Sequence, residues 1–218
     1  MLLAGVDDAG RGAVIGPLVI AGILLDENDL HELEVLKVKD SKLLSPLRRE
    51  WFAEEIEKIA LKYHVVKFSP AEIDRVVIQG RKYHRLNRLE ACGMAEVILN
   101  LKPDIAFVDA SDVVASRFRE HILERLPFKV DVVSEHKADR NYPIVSAASI
   151  LAKVTRDAEV AKLRNEYGDI GSGYASDYRA KNFLERWMRE HGSYPECVRT
   201  SWETAKRIKT KYCQTRIL

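Results

Sequence analysis

Residues 2–25 read LLAGVDDAGRGAVIGPLVIAGILL, and this stretch decides the fold class. Leu2–Val6 is a short apolar run that predicts a buried strand, closed by the paired acids Asp7 and Asp8. Ala9-Gly10-Arg11-Gly12 then predicts a tight turn. Val14–Leu25, rich in Val, Ile and Leu with Gly16, Pro17 and Gly22, predicts a second strand in preference to a helix. Adjacent acids at the mouth of a buried strand repel each other unless a cation neutralises them. Gly10, Gly12 and Gly16 are spaced GxGxxxG and lead into a strand. A dinucleotide fingerprint needs GxGxxG opening a helix whose N-terminus holds the pyrophosphate, so that function is rejected. Two glycines around an arginine suit a phosphate instead: backbone amides approach closely and Arg11 supplies charge.

Outward from this stretch, strands and helices alternate. Ser45-Pro46 is an N-cap with proline first, predicting a helix to about Tyr63. Val65–Phe68 predicts a short strand, and Ser69-Pro70 repeats the cap signal. Apolar residues at Leu86, Leu89, Val97 and Leu101 predict a helix over Tyr83–Leu101. Ile105–Val108 predicts a strand closed by Asp109, Val113–Leu126 a helix, and Val130–Val133 a strand with Asp139 shortly after it. Pro143 opens a helix to about Tyr167, and Phe183–His191 predicts another that ends at Gly192. The pattern is α/β, with residues 1–167 as the main domain and 168–218 as a helical C-terminal segment.

Composition narrows the function. The chain has 218 residues, 46% hydrophobic and 31% charged, with 35 Lys/Arg against 33 Asp/Glu, which excludes disorder as its main state. Cys92, Cys197 and Cys213 form no CxxC pair, so neither a zinc module nor a disulfide framework is indicated, and a reducing cytoplasm is expected. The longest uncharged apolar run, Ala13–Leu25, is too short for a bilayer. Asp7, Asp8 and Arg11 stand where a signal peptide needs its apolar core. A soluble intracellular monomer without membrane contact is the expectation. From Arg179 onward ten Lys/Arg face four Glu, a net +6, whereas the first 178 residues carry −4. A basic end on a slightly acidic body suggests a polyanionic partner.

Acids recur where predicted strands end: Asp7, Asp8, Asp109 and, six residues after Val133, Asp139. Carboxylates with no Cys or His beside them suit a hard cation such as Mg²⁺ or Mn²⁺. Two such ions about 4 Å apart clamp a phosphodiester during in-line attack by water. A lone Asp is also a common turn or cap residue, and that alternative stands for each one taken singly.

Six blocks together carry a family resemblance. Val6-Asp-Asp-Ala-Gly-Arg-Gly12 with Ile15-Gly-Pro-Leu18 resembles the opening motif of ribonuclease HII, the type 2 ribonuclease H family, in its archaeal branch. Val38-Lys-Asp-Ser-Lys42, Val108-Asp-Ala110, Glu135-His-Lys-Ala-Asp139 with Val145–Asp157, Gly171–Asp177 and Arg199-Thr-Ser-Trp-Glu-Thr204 resemble its later blocks, in family order. The resemblance implies a ribonuclease H-like fold, a mixed central sheet flanked by helices, with residues 168–218 as a substrate-binding segment. It implies metal binding and catalysis by Asp7, Asp8, Asp109 and Asp139, aided by Mg²⁺ or Mn²⁺, with two ions in turnover. Gly10, Arg11 and Gly12 would contact the sugar-phosphate, Tyr174 would sense the 2′-hydroxyl, and Lys42 would lie near the scissile phosphate. Asp157, beside Lys153 and Arg156, reads as an ion-pair residue. The implied activity is endonucleolytic hydrolysis of RNA in RNA–DNA hybrids and of ribonucleotides embedded in duplex DNA, leaving 3′-hydroxyl and 5′-phosphate ends.

The chain departs from the family pattern at Asp8, where Glu is usual, and at Leu43, Ala175, Tyr178 and Glu203. Two rivals follow: an inactive nucleic-acid-binding relative, and exonuclease or resolvase chemistry on the same fold. The latter needs no ribose sensor, so Gly10–Gly12 and Tyr174 speak against it. Gln214-Thr-Arg-Ile-Leu218 resembles the start of a sliding-clamp-binding peptide but stops before its aromatic pair, so clamp binding is not expected.

Overall fold

The computed structural model describes residues 1–38, 45–79 and 85–215. Among these residues five strands form one mixed sheet: β1 (Leu2–Ala9), β2 (Leu18–Asp26), β3 (Lys62–Phe68), β4 (Ile105–Asp109) and β5 (Asp131–Glu135). Their order is β3-β2-β1-β4-β5. β1 runs antiparallel to β2 and parallel to β4, and β4 parallel to β5. The helices are α1 (Leu30–Leu36), α2 (Pro46–Ile59), α3 (Pro70–Gln79), α4 (Arg85–Leu101), α5 (Ala115–Leu123), α6 (Ala138–Asn141), α7 (Pro143–Tyr167), α8 (Tyr178–His191) and α9 (Glu203–Thr215).

Helix starts follow local chemistry. Ser45 Oγ accepts from the Arg48 amide ahead of Pro46, as the cap signal predicts. Ser69 and Glu72 form a capping box: the Ser69 amide donates to Glu72 Oε2 at 2.8 Å and the Glu72 amide to Ser69 Oγ at 3.3 Å. The helix expected to reach about Tyr63 ends at Ile59 because β3 begins at Lys62, and two expectations in the opening stretch shift as well. β1 continues through Asp7 and Asp8 to Ala9, because Ala21, Ile20 and Val19 of β2 pair with those residues. The strand expected from Val14 begins only at Leu18, because Gly16 turns at φ +89° and Pro17 has no N–H to pair.

The chain forms two compact units built from interleaved segments. The first comprises Met1–Ala9, Val19–Lys67 and Lys82–Thr155; the second comprises Gly10–Leu18, Phe68–Arg81 and Arg156–Leu218. In the first unit, Leu3, Val19, Ala21, Ile23 and Leu25 of the sheet pack with Ile144, Val145, Ile150 and Leu151 of α7, Leu33 of α1 and Phe52 and Ile56 of α2. In the second unit, Val14 and Ile15 are buried with Val160, Phe183, Leu184, Met188, Val198 and Ile208. Those two valine and isoleucine positions, expected to start a strand of the sheet, serve this separate core.

α7 approaches β1 closely because Gly5 has no side chain. A Cβ there would stand 2.2 Å from the Ile144 carbonyl oxygen. On the other face a Cβ at Gly22 would meet Val97 of α4 at 2.4 Å. Two glycines thus let a helix settle against each side of β1 and β2.

Candidate active site

The register of the parallel strands sets the first group of acids. Val6 pairs with Val108, so Asp7 and Asp109, one residue on, stand side by side at the ends of β1 and β4. Asp109 pairs in turn with Glu135 of β5. Cα partners across a sheet share a face, so three acids line one edge of it on the α7 side. Glu135 is held by the Tyr142 hydroxyl at 3.0 Å and Asn141 Nδ2 at 3.3 Å. It was quoted in sequence only as part of a block; the strand register gives it this place.

Asp7 is buried, 5% exposed. Burial first, then the charges of Asp8 and Asp109, push its carboxyl well above the usual carboxylate range, against the pull of the Ser149 hydroxyl and Lys153. Both of these lie on α7. From Ile144 over Gly5 to Ser149 over Asp7, five helical residues rise about 7.5 Å, while two strand residues advance about 6.7 Å. The helix therefore keeps step with the strand and delivers Ser149, with Lys153 Nζ 2.5 Å from its Oγ, to the acid. Sequence reasoning missed this pair. Its signal was faint: polar residues four apart in an apolar, small-residue helix.

Asp8 follows directly, its amide donating to Asp7 Oδ1 at 2.7 Å and its Oδ1 accepting from the Ser111 hydroxyl at 3.3 Å. Lys137 takes a left-handed conformation, φ 59°, and the next amide, that of Ala138, donates to Asp109 Oδ1 at 2.9 Å. That bond ties the start of α6, and with it Asp139, to the end of β4. Among the described residues no three His, Cys, Asp or Glu side chains are gathered closely enough to hold a metal ion. The donor chemistry fits one nonetheless: an all-oxygen set in which buried Asp7 is repelled by two acids is the charge excess a hard divalent cation relieves.

A second group of expected residues lies within the second unit. Gly10, φ +87°, occupies the left-handed region, and a Cβ on it would meet Arg156 Cδ and Nε and the Pro17 carbonyl, each at 2.7 Å. The nearest atom to a Cβ on Gly12 would be Tyr174 Cε1, at 4.0 Å. The turn and Tyr174 are thus neighbours, and Ala13 forms a β-bridge with Tyr174. Fully buried Arg199 secures the turn from below, with Nη1 on the Arg11 carbonyl at 2.9 Å and Nε on the Gly16 carbonyl at 3.0 Å. Arg156 and Asp157 pair at 3.7 Å, as expected for Asp157. Lys42 lies outside the described residues.

Acids aligned at the ends of parallel strands in a β3-β2-β1-β4-β5 sheet, with helices on both faces, define a nuclease of the ribonuclease H-like class. The Ribonuclease HII family model matches residues 4–205. A ribonuclease HII from Pyrococcus abyssi is 50% identical over 97% of this chain and 93% of its own length. The crystal structure of ribonuclease H2 from Pyrococcus horikoshii superposes with a TM-score of 0.90 at 44% identity, covering 98% of this chain and all of that one. The ribonuclease HII of a PCNA complex from Archaeoglobus fulgidus gives 0.83 at 45% identity, over 94% and 96% of the two chains. The chain belongs to the ribonuclease HII family, metal-dependent endonucleases that cleave RNA paired with DNA and ribonucleotides embedded in DNA.

Proposed function

We propose that Asp7, Asp8, Asp109 and Asp139 carry the hydrolysis and that Gly10, Arg11, Gly12 and Tyr174 choose the bond. The observation that carries this is the Val6–Val108 register, which sets Asp7 beside Asp109. The four acids would hold Mg²⁺ or Mn²⁺, two ions in turnover. When bound, such ions polarise the phosphate and make water a better nucleophile. Ser149 and Lys153 orient Asp7 and offset part of its charge. The Gly10–Gly12 turn offers backbone amides to the sugar-phosphate, and Arg11 adds a cation. Tyr174 stacks on the ribose and hydrogen-bonds its 2′-hydroxyl, the group that tells RNA from DNA. Lys42 near the scissile phosphate belongs to the same proposal.

Residues 168–218 grip the duplex backbone, which positions without reading sequence. No helix among the described residues is long and apolar enough to cross a membrane. A cytoplasmic monomer is the setting we propose. The Archaeoglobus relative was solved in complex with PCNA; the partial clamp motif at Gln214–Leu218 runs outside the described residues from Arg216, and we assign clamp binding no part in catalysis.

The test offers a DNA duplex with one internal ribonucleotide, an RNA–DNA hybrid and plain DNA, each with Mg²⁺, Mn²⁺ or chelator. Cleavage of the first two alone, abolished by chelator and by Asp109→Asn with the fold retained, is the expected result. Near-normal turnover by folded Asp109→Asn would refute the assignment.

A further inference from the structure

We infer that Arg156 is a positioning residue for the ribose sensor: its guanidinium braces Tyr174 against the Gly10 turn and so sets the discrimination of ribonucleotides. The inference rests on the reading of Tyr174 as that sensor. Arg156 is 4% exposed, and burying a guanidinium is costly unless its surroundings compensate. Its surroundings are unusual. The guanidinium carbon lies 4.5 Å from the Tyr174 ring centroid, Nη2 donates to the Ser172 carbonyl at 2.7 Å, and Nη1 stands 3.7 Å from Asp157. Nε is buried with no acceptor among the described residues. A positive charge that is this enclosed uses the face of an aromatic ring as one of its principal partners.

The glycines around it show how closely the neighbouring backbone approaches. A Cβ on Gly10 would stand 2.7 Å from Arg156 Cδ and Nε, and one on Gly173 would stand 3.1 Å from its Nη2. The segment 10–12, expected at the sugar-phosphate, and the segment 172–174, expected at the ribose, therefore both close upon one side chain. An aromatic ring has two faces. With the guanidinium on one, a sugar can stack only on the other, and the ring's tilt is fixed before substrate arrives. Such preorganisation matters because a misplacement of about 1 Å can cost about a hundredfold in rate. Lysine cannot substitute: it keeps the charge but lacks the plane that lies over the ring while donating sideways to Ser172.

A double-mutant cycle tests this, with wild type, Arg156→Lys, Tyr174→Ala and both together. Each is assayed on the single-ribonucleotide duplex, and its folding is checked by circular dichroism melting. Arg156→Lys is expected to lower kcat/KM about tenfold in the presence of Tyr174, mostly through kcat, and less than about twofold when Tyr174 is already Ala. Its dissociation constant for an all-DNA duplex should stay within about twofold of wild type, which a general structural role would not allow. Arg156→Gln, run through the same cycle, is expected to show the same non-additivity and guards against misfolding of the lysine variant. Multiplicative losses in the cycle, or a wild-type rate for both Arg156 variants, would overturn the inference. A fully active Tyr174→Ala would instead remove the sensor reading itself, and the inference with it.

Discussion

Of the five departures from the family pattern, Asp8 is the one within the proposed metal-binding set, and the strand around it limits how it can compensate. Its backbone is paired with Ile20, its amide is bonded to Asp7 and its carboxylate to Ser111, so the position has little freedom to advance. Aspartate is one methylene shorter than glutamate and falls about 1 Å short of the same point, an error that can cost about a hundredfold in rate. Mg²⁺, which demands near-ideal octahedral geometry, should suffer most. Asp8→Glu is therefore expected to raise the Mg²⁺-dependent rate at least about tenfold, and the Mn²⁺-dependent rate less. Steady-state cleavage with each metal checks it; an unchanged or lower rate would mean that the local backbone already serves Asp8. That Asp7 and Asp109 fall toward the ends of neighbouring strands was legible, because an apolar run stops at each of them. Ser111, Ser149, Lys153 and Arg156 were not legible as site residues, since their places depend on helix placement and tertiary packing that no local pattern encodes.

At the scale of elements, the approach of α7 to β1 is the contact that aligns Ser149 with Asp7. Gly5→Ala would drive a methyl group into the Ile144 backbone, at 2.2 Å from its oxygen, where no flexible side chain can yield. We expect a loss of about 3 kcal/mol or more of stability, read by chemical denaturation, and an activity loss in whatever folds. A near-wild-type midpoint would mean that α7 can back away. The loop after β4 depends on Asp112, 1% exposed. Burial pushes its carboxyl up, but bonds from Arg117, the Val114 amide and Asn87 outweigh this and hold it well below the usual range. A depressed folded-state pKa stabilises above the unfolded value of about 3.9 and is lost as pH falls toward the folded value. Asp112→Asn should thus be clearly less stable than wild type at pH 7, with the gap narrowing below about pH 4. A gap independent of pH would contradict this. The boundaries of α7 were readable from Pro143 and its small-residue run. The start of β2 was not, because Val14 and Ile15 look like strand residues yet are claimed by packing against α8 and Val198.

At the scale of the whole molecule, charge is unevenly divided along the chain, with net +6 from Arg179 onward. If this end tracks phosphates, binding should weaken steeply with salt. Contacts to about five phosphates give a slope of log affinity against log salt of about −4 to −5. Filter binding or anisotropy with a catalytically silent Asp109→Asn protein measures it; a slope shallower than about −1 would place the grip elsewhere. The interleaving of the two units has another consequence, for the making of the protein. Arg199 bonds the carbonyls of Arg11 and Gly16, and its amide bonds the Val14 carbonyl. The ribosome has therefore translated nearly the entire chain before residues 10–18 meet the partners that hold them. A loop of some 185 residues must close late, after all five sheet strands have been synthesised, which makes the Gly10–Gly12 turn among the last parts of the nascent chain to be secured.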